Sequence, residues 1–147
     1  MGRPWDWTVP EHRSLYGDTN RIEWRDATNF AEEIERAAAI RQHHAALALN
    51  QAIDAGITTA ATPTTHETRE TLSRRFGYSE DYLGRTLRGE RWASVTDLAQ
   101  WALAARNPDI LSGGDTAATV GRELVSSGWE LPDDPATSPG DRGSRLR

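Results

Sequence analysis

The side chains of this sequence that could do chemistry are two adjacent histidines, 22 carboxylates and 17 arginines. His43 and His44 point about 100° apart on a helix, so they cannot share one ion as an i, i+4 pair does. The carboxylates are plentiful, but none stands in an apolar setting that would shift its pKa toward acid–base work. There is no HExxH, no Gly-rich phosphate loop, no GxSxG and no Cys, so thiolate and Cys-based zinc chemistry are excluded. The expectation is a protein that is not an enzyme and needs no metal or cofactor. That leaves the arginines. Six lie between residues 69 and 91 against Glu70, Glu80, Asp81 and Glu90, a local excess of two positive charges in a chain of net −5. Such a patch suits local DNA contact rather than coating of nucleic acid, with weak and salt-sensitive nonspecific affinity. All the basic residues are Arg and none is Lys, which hints at a GC-rich genome and says nothing of mechanism.

The chain that must position these residues is 147 long, a length for one domain with attachments. Mean hydropathy is −0.69, and no apolar stretch approaches the roughly 18 to 20 residues of a membrane helix. The N-terminus lacks a basic-then-apolar signal pattern, so a cytoplasmic location is expected. Residues 1–25 carry Trp5, Trp7, Tyr16 and Trp24 without any period and read as an irregular aromatic arm that packs on the body or on a partner, the body being favoured. Residues 26–57 read as an Ala-rich helix or helix pair, with a capping signature at Asn29 and Glu32 and a stop at Gly56. Phe30, Ile34, Ala38, Ala45, Leu49 and Ile53 fall near one face. Arg41-Gln42-His43-His44 interrupts it, either as a break or as the exposed side of one helix. Residues 58–64 form a linker, residues 65–128 a helical core with a trailing helix near 116–127, and residues 129–147 a tail too polar to order itself.

The informative stretch is 65–111, read as three short helices. Leu72 and Phe76 share one face, Gly77 offers a tight turn, and Ser79 is a natural N-cap. Leu83 and Leu87 repeat the spacing and Gly89 closes the helix. Ser94 and Asp97 make a capping box before Leu98, Trp101, Ala102 and Ala105, which should face inward, and Pro108 ends the run. Two helices joined by so short a turn, with a third across them, form the helix-turn-helix pattern.

The run Leu72-x3-Phe76-Gly77-Tyr78-Ser79-x2-Tyr82-Leu83-x3-Leu87-Arg88-Gly89-Glu90-Arg91 resembles the lambda-repressor-like (Xre-type) DNA-binding family. Ser94-Val95-Thr96-Asp97-Leu98-Ala99 resembles the start of that family's fourth helix, and the likeness spans about residues 64–111. Residues 50–58 look like the end of its first helix. The chain departs from the family by an insertion of about ten residues after Thr58. It also has Ala52 and Leu87 where an Arg–Glu pair is usual, an exchange of a buried ion pair for apolar contact that is often neutral or stabilising.

The resemblance implies an all-α, lambda-repressor-like bundle with a recognition helix at 79–89 in the major groove. It places Ser79, Glu80, Asp81, Tyr82 and Arg85 at base edges. Arg85 leads, since a guanidinium bridging O6 and N7 of guanine discriminates by roughly 1–3 kcal/mol. Pairing of Arg85 with Asp81, capping by the acids, and packing of Tyr82 under the turn are the plainer alternatives. Arg88, Arg91 and Trp92 would reach phosphates, with core packing the alternative for Trp92. Thr65, His66 and Thr68 would meet the backbone at the start of the second helix, while Arg69, Arg74 and Arg75 would line the backbone or form an exposed face.

The function so implied is a sequence-specific double-stranded-DNA-binding regulator, a bacterial or phage repressor that occupies an operator and excludes polymerase. Residues 1–57 are the candidate homodimer surface. The rival is a protein-interaction module, an antitoxin or adaptor, suggested by five acids against two Arg in 26–57.

Overall fold

The computed structural model of the chain describes residues 2–58 and 67–112, and every regular element within them is helical. In chain order these are α1 (Phe30–Ala55), α2 (Arg69–Phe76), α3 (Glu80–Leu87), α4 (Val95–Ala105) and the single turn α5 (Asp109–Ser112). Two 3-10 turns, Pro4–Trp7 and Pro10–Leu15, precede them. Among the described residues there is no strand, only the isolated bridge between Thr8 and Trp24, so the all-α expectation holds. No described helix is long and apolar enough to cross a membrane. The linker beyond Thr58, the trailing helix expected near 116–127 and the tail at 129–147 lie outside the described residues.

The spine is α1, 26 residues long. Asn29 caps it by accepting the Glu32 amide at 2.9 Å, while Glu32 reaches back to the amide and hydroxyl of Thr28. At the other end the Ile57 amide closes on the Ala52 carbonyl at 3.0 Å, around Gly56. The run Arg41-Gln42-His43-His44 does not break the helix, so a single rod of roughly 39 Å replaces the helix-pair alternative. Nor is it an exposed side: Gln42 and His43 are 3% and 1% exposed. The expected apolar face holds only in the C-terminal half, where Ala45, Leu49 and Ile53 are buried; Ile34 is 56% exposed and Ala38 is exposed. The reason is two-sided burial. α1 packs against α4, α3 and α5, and also against the turn Pro4–Trp7, so polar residues are covered too.

One core joins the helices. Leu49 and Ile53 meet Leu72 of α2, Leu83 and Leu87 of α3, Leu98, Trp101, Ala102 and Ala105 of α4, and Ile110 of α5. Each buried leucine stabilises by about 1.5–3 kcal/mol, so this cluster rather than helix propensity holds the eight-residue α2 and α3 in place. Ala52 and Leu87, where the resembled family pairs Arg with Glu, both lie in it. The described segment 67–112 holds four helical elements rather than three. α4 stops at Ala105 because Arg106 turns left-handed at φ 53°, ahead of Pro108, and Asn107 then accepts the Asp109 amide at 3.0 Å to start α5.

The N-terminal arm packs on the body. Trp7 and Tyr16 are buried, and the Tyr16 hydroxyl donates to the Ala39 carbonyl at 2.6 Å. Gly17 sits between two side chains of α1: its amide donates to Nδ1 of His43 and its carbonyl accepts Nδ2 of Asn50, each at 2.8 Å.

Candidate nucleic-acid interface

α2 and α3 are joined by Gly77, Tyr78 and Ser79 alone. Thr68 caps α2 by accepting the Thr71 amide at 3.2 Å, and Ser79 caps α3 by accepting the Tyr82 amide at 3.3 Å. Each such cap contributes about 1 kcal/mol. Both hydroxyls expected at DNA are therefore held at exposed helix starts. Glu80 opens α3, where the helix dipole favours an acid.

The cations at the C-terminal end of α3 are held by the exposed Asp81 and the partly buried Glu90. Arg85 lies 3.6 Å from Asp81 and 4.0 Å from Glu90, and Nε of Arg88 donates to Glu90 at 2.7 Å. The plainer pairing of Arg85 with Asp81 is thus present. The exposed Arg85–Asp81 pair contributes only about 0.2–1 kcal/mol, so a phosphate or a guanine edge can replace it. Arg88 folds back over Gly84, where even a Cβ would come within 3.0 Å of its guanidinium. Gly84 thereby opens a cleft of about 370 Å³ lined with Arg69, Asp81 and Arg88. Arg69 is aimed there by α1, its Nε donating to Oδ1 of Asn50 at 3.0 Å. Arg74 is exposed and paired with Glu70 at 2.7 Å.

Other candidates are occupied by the fold. Arg75 donates twice, at 2.8 and 2.7 Å, to Glu67, whose side chain is 3% exposed. A carboxylate so buried requires that partner, so Arg75 anchors the start of α2. The Tyr82 hydroxyl donates to Asp97 at 2.9 Å, its ring lies 4.4 Å from that of Tyr78, and the Arg91 guanidinium covers it at 3.8 Å. Tyr82 therefore packs beneath the turn, the plainer of its two readings. Asp97 also accepts from the Tyr78 hydroxyl and from the Ser94 amide. Burial pushes its carboxyl up, and the hydrogen bonds from Tyr78, Ser94 and Tyr82 together outweigh burial and hold it below the usual range. The indole N–H of Trp92 donates to the Gly2 carbonyl at 2.6 Å, so the arm rather than a phosphate takes it. Thr65, His66 and the side chain of Glu80 lie outside the described residues.

Sequence reasoning missed three residues that hold this surface: Asn50, Glu90 and Gln42. The Gln42 amide donates to the carbonyls of Thr86 and Arg91 at 3.0 and 2.9 Å and accepts the Ala93 amide at 2.8 Å, fixing the loop after α3 to α1. No local signal marks it, since its partners lie more than 40 positions away. Gly84 does carry a signal, being a glycine inside a helix where it costs about 1 kcal/mol relative to Ala. No family model, curated protein or solved structure matches this chain. The weight of a functional reading therefore rests on the surface itself.

Proposed function

We propose that this chain is a sequence-specific double-stranded-DNA-binding regulator, a repressor, with α3 and its flanks (79–89) as the major-groove recognition element. The observation that carries this is the disposition of Arg85 and Arg88. Both are exposed, Arg85 on a short helix behind a three-residue turn and Arg88 at its end, beside Arg69 and Arg91, and are paired with the exposed Asp81 and the partly buried Glu90. Arg85 is assigned to a guanine edge with the exposed Ser79 beside the bases, Arg88 and Arg91 to phosphates, and the exposed Thr68 to the backbone. Repression follows from occupancy and needs no chemistry. A dimer through residues 1–57 would read half-sites roughly 34 Å apart.

The test is selection of binders from a randomised duplex pool at about 150 mM salt, where nonspecific contacts are weak. Enrichment of one motif supports the reading, and the motif's symmetry reports monomer or dimer. Arg85→Ala is then expected to relax base preference, and Arg91→Ala to weaken all sequences alike. Failure of any motif to enrich overturns the proposal.

One observation favours the interaction-module reading instead. α4 and α5 line an open apolar cleft of about 600 Å³ with Ala99, Ala102, Leu103, Pro108 and Leu111, and Leu103 is 74% exposed. Exposed apolar surface of this kind suits a protein partner. Under that reading Leu103→Asp abolishes the activity and Arg85→Ala leaves it intact. Trp7, being buried, would report on folding and not on an interface.

A further inference from the structure

The arm ends on the loop that follows α3. The Trp5 amide donates to the Gly89 carbonyl at 3.0 Å, and Trp92 holds the Gly2 carbonyl through its indole N–H. Residues 2–5 are thus pinned at both ends beside Arg88 and Arg91. The half-exposed Trp5 ring is flanked by two exposed guanidiniums, Arg3 at 6.0 Å and Arg13 at 5.5 Å. Asp6 sets that spacing, accepting the Arg3 amide at 2.9 Å and lying 3.3 Å from the Arg13 guanidinium. Pro4 and Pro10 open the two 3-10 turns and pre-set their backbone, so these side chains are presented from a rigid segment.

From this placement we propose that residues 2–13 form a second contact to the duplex backbone, with Arg3 and Arg13 each taking a phosphate next to those taken by Arg88 and Arg91. The inference rests on the DNA-binding reading above and extends its footprint from α3, across the 88–92 loop, onto the arm. Guanidinium–phosphate contacts carry no base information, so the arm sets register and affinity while α3 sets sequence. Trp5 supplies a flat apolar surface that keeps the two cations apart, and its backbone bond to Gly89 couples the arm to the end of the recognition helix.

The experiment measures the salt dependence of affinity for the full chain on the enriched duplex and on an unrelated duplex. It compares wild type, the double variant Arg3→Gln/Arg13→Gln, and the charge-retaining Arg3→Lys/Arg13→Lys. Each lost phosphate contact flattens the slope of log K against log salt by about 0.9, so the Gln pair is expected to lower it by roughly 1.8 on both duplexes. Base preference stays unchanged, and the Lys pair stays near wild type. Glutamine keeps most of the side-chain stem against Trp5, and circular dichroism confirms folding; were the double variant to unfold, the single variants give the same reading at half the effect. A wild-type slope in a folded Gln pair overturns this inference alone. Absence of any specific binding by wild type overturns the DNA-binding reading beneath it.

Discussion

Nδ1 of His43 accepts the amide of Gly17 at 2.8 Å, inside a pocket walled by the rings of Tyr16 and Trp24. That bond requires a neutral imidazole. Burial first, and the neighbouring His44 second, bring the His43 pKa down to about 4, the Thr19 backbone opposing. Burial lowers His44 as well. Above pH 6.5 the folded and unfolded chains are both neutral at His43 and the contribution is complete. As pH falls from 6.5 toward 4 the unfolded chain takes up a proton that the folded chain refuses, and stability drops. The loss from His43 alone is of the order of 3 kcal/mol across that window. Denaturant midpoints at pH 7.5, 5.5 and 4 check it; His43→Gln, which retains an acceptor for Gly17, is expected to flatten the fall. A wild-type midpoint constant over this range would contradict the assignment.

Gln42 is expected to matter more than its chemistry suggests. Gln42→Ala leaves the Arg91 carbonyl and the Ala93 amide without their partner, while the Thr86 carbonyl keeps the Gly89 amide; the cost is roughly 2–4 kcal/mol, the lower part of about 1–3 for each of two partly buried groups. Gln42→Glu turns a donor toward two carbonyls into an acceptor and should cost at least as much. Urea denaturation gives the magnitude. Hydrogen exchange at the Ala93 amide locates it: exchange no faster than wild type would mean that the side chain does not hold the loop.

Two glycines with the same backbone should respond differently to alanine. Gly77 and Gly89 both sit at φ 77°, a left-handed conformation that costs an L-residue about 1–2 kcal/mol. A Cβ at Gly77 meets nothing within 4 Å, whereas at Gly89 it would come within 2.7 Å of the buried Tyr16 ring. Gly77→Ala should cost about 1 kcal/mol and Gly89→Ala clearly more, with loss of the arm's docking. Equal shifts in melting temperature would rule out the interlock of Tyr16 with the loop.

Glu90 restrains both Arg85 and Arg88. Under the DNA-binding proposal, Glu90→Gln releases Arg85 and Arg88 and removes a negative charge facing phosphate. Affinity for duplex DNA should rise roughly two- to tenfold, given about 0.2–1 kcal/mol for each ion pair to an exposed arginine, with a steeper salt dependence. Fluorescence anisotropy at two salt concentrations measures it, and unchanged or weaker binding counts against a role for these arginines.

Much of the architecture was legible along the chain because it depends on residues three or four apart. Asn29, Ser79 and Ser94 cap helices through neighbouring amides, Gly56 and Gly77 end them, and the spacing of Leu72, Phe76, Leu83 and Leu87 marks the faces turned inward. Arg106 is the local exception: its left-handed turn ended α4 before Pro108, at a residue with no glycine to announce it. The composition of 69–91 likewise showed a patch of arginines. What each arginine does was decided only by the tertiary structure. Arg75 is tied to Glu67, Arg91 lies over Tyr82, Arg69 is aimed by Asn50, and Arg85 and Arg88 stay at the surface under Glu90. The same holds for Gln42 and His43, polar residues in a helix that reads as amphipathic with an exposed polar run. His43 is buried because an arm without periodicity folds back over it, and Gln42 because the loop after α3 closes on it; in each case the partners are more than twenty residues away along the chain. Local hydrogen bonding sets where a helix begins and ends; burial and pairing depend on which distant segments meet, and only the folded chain settles that.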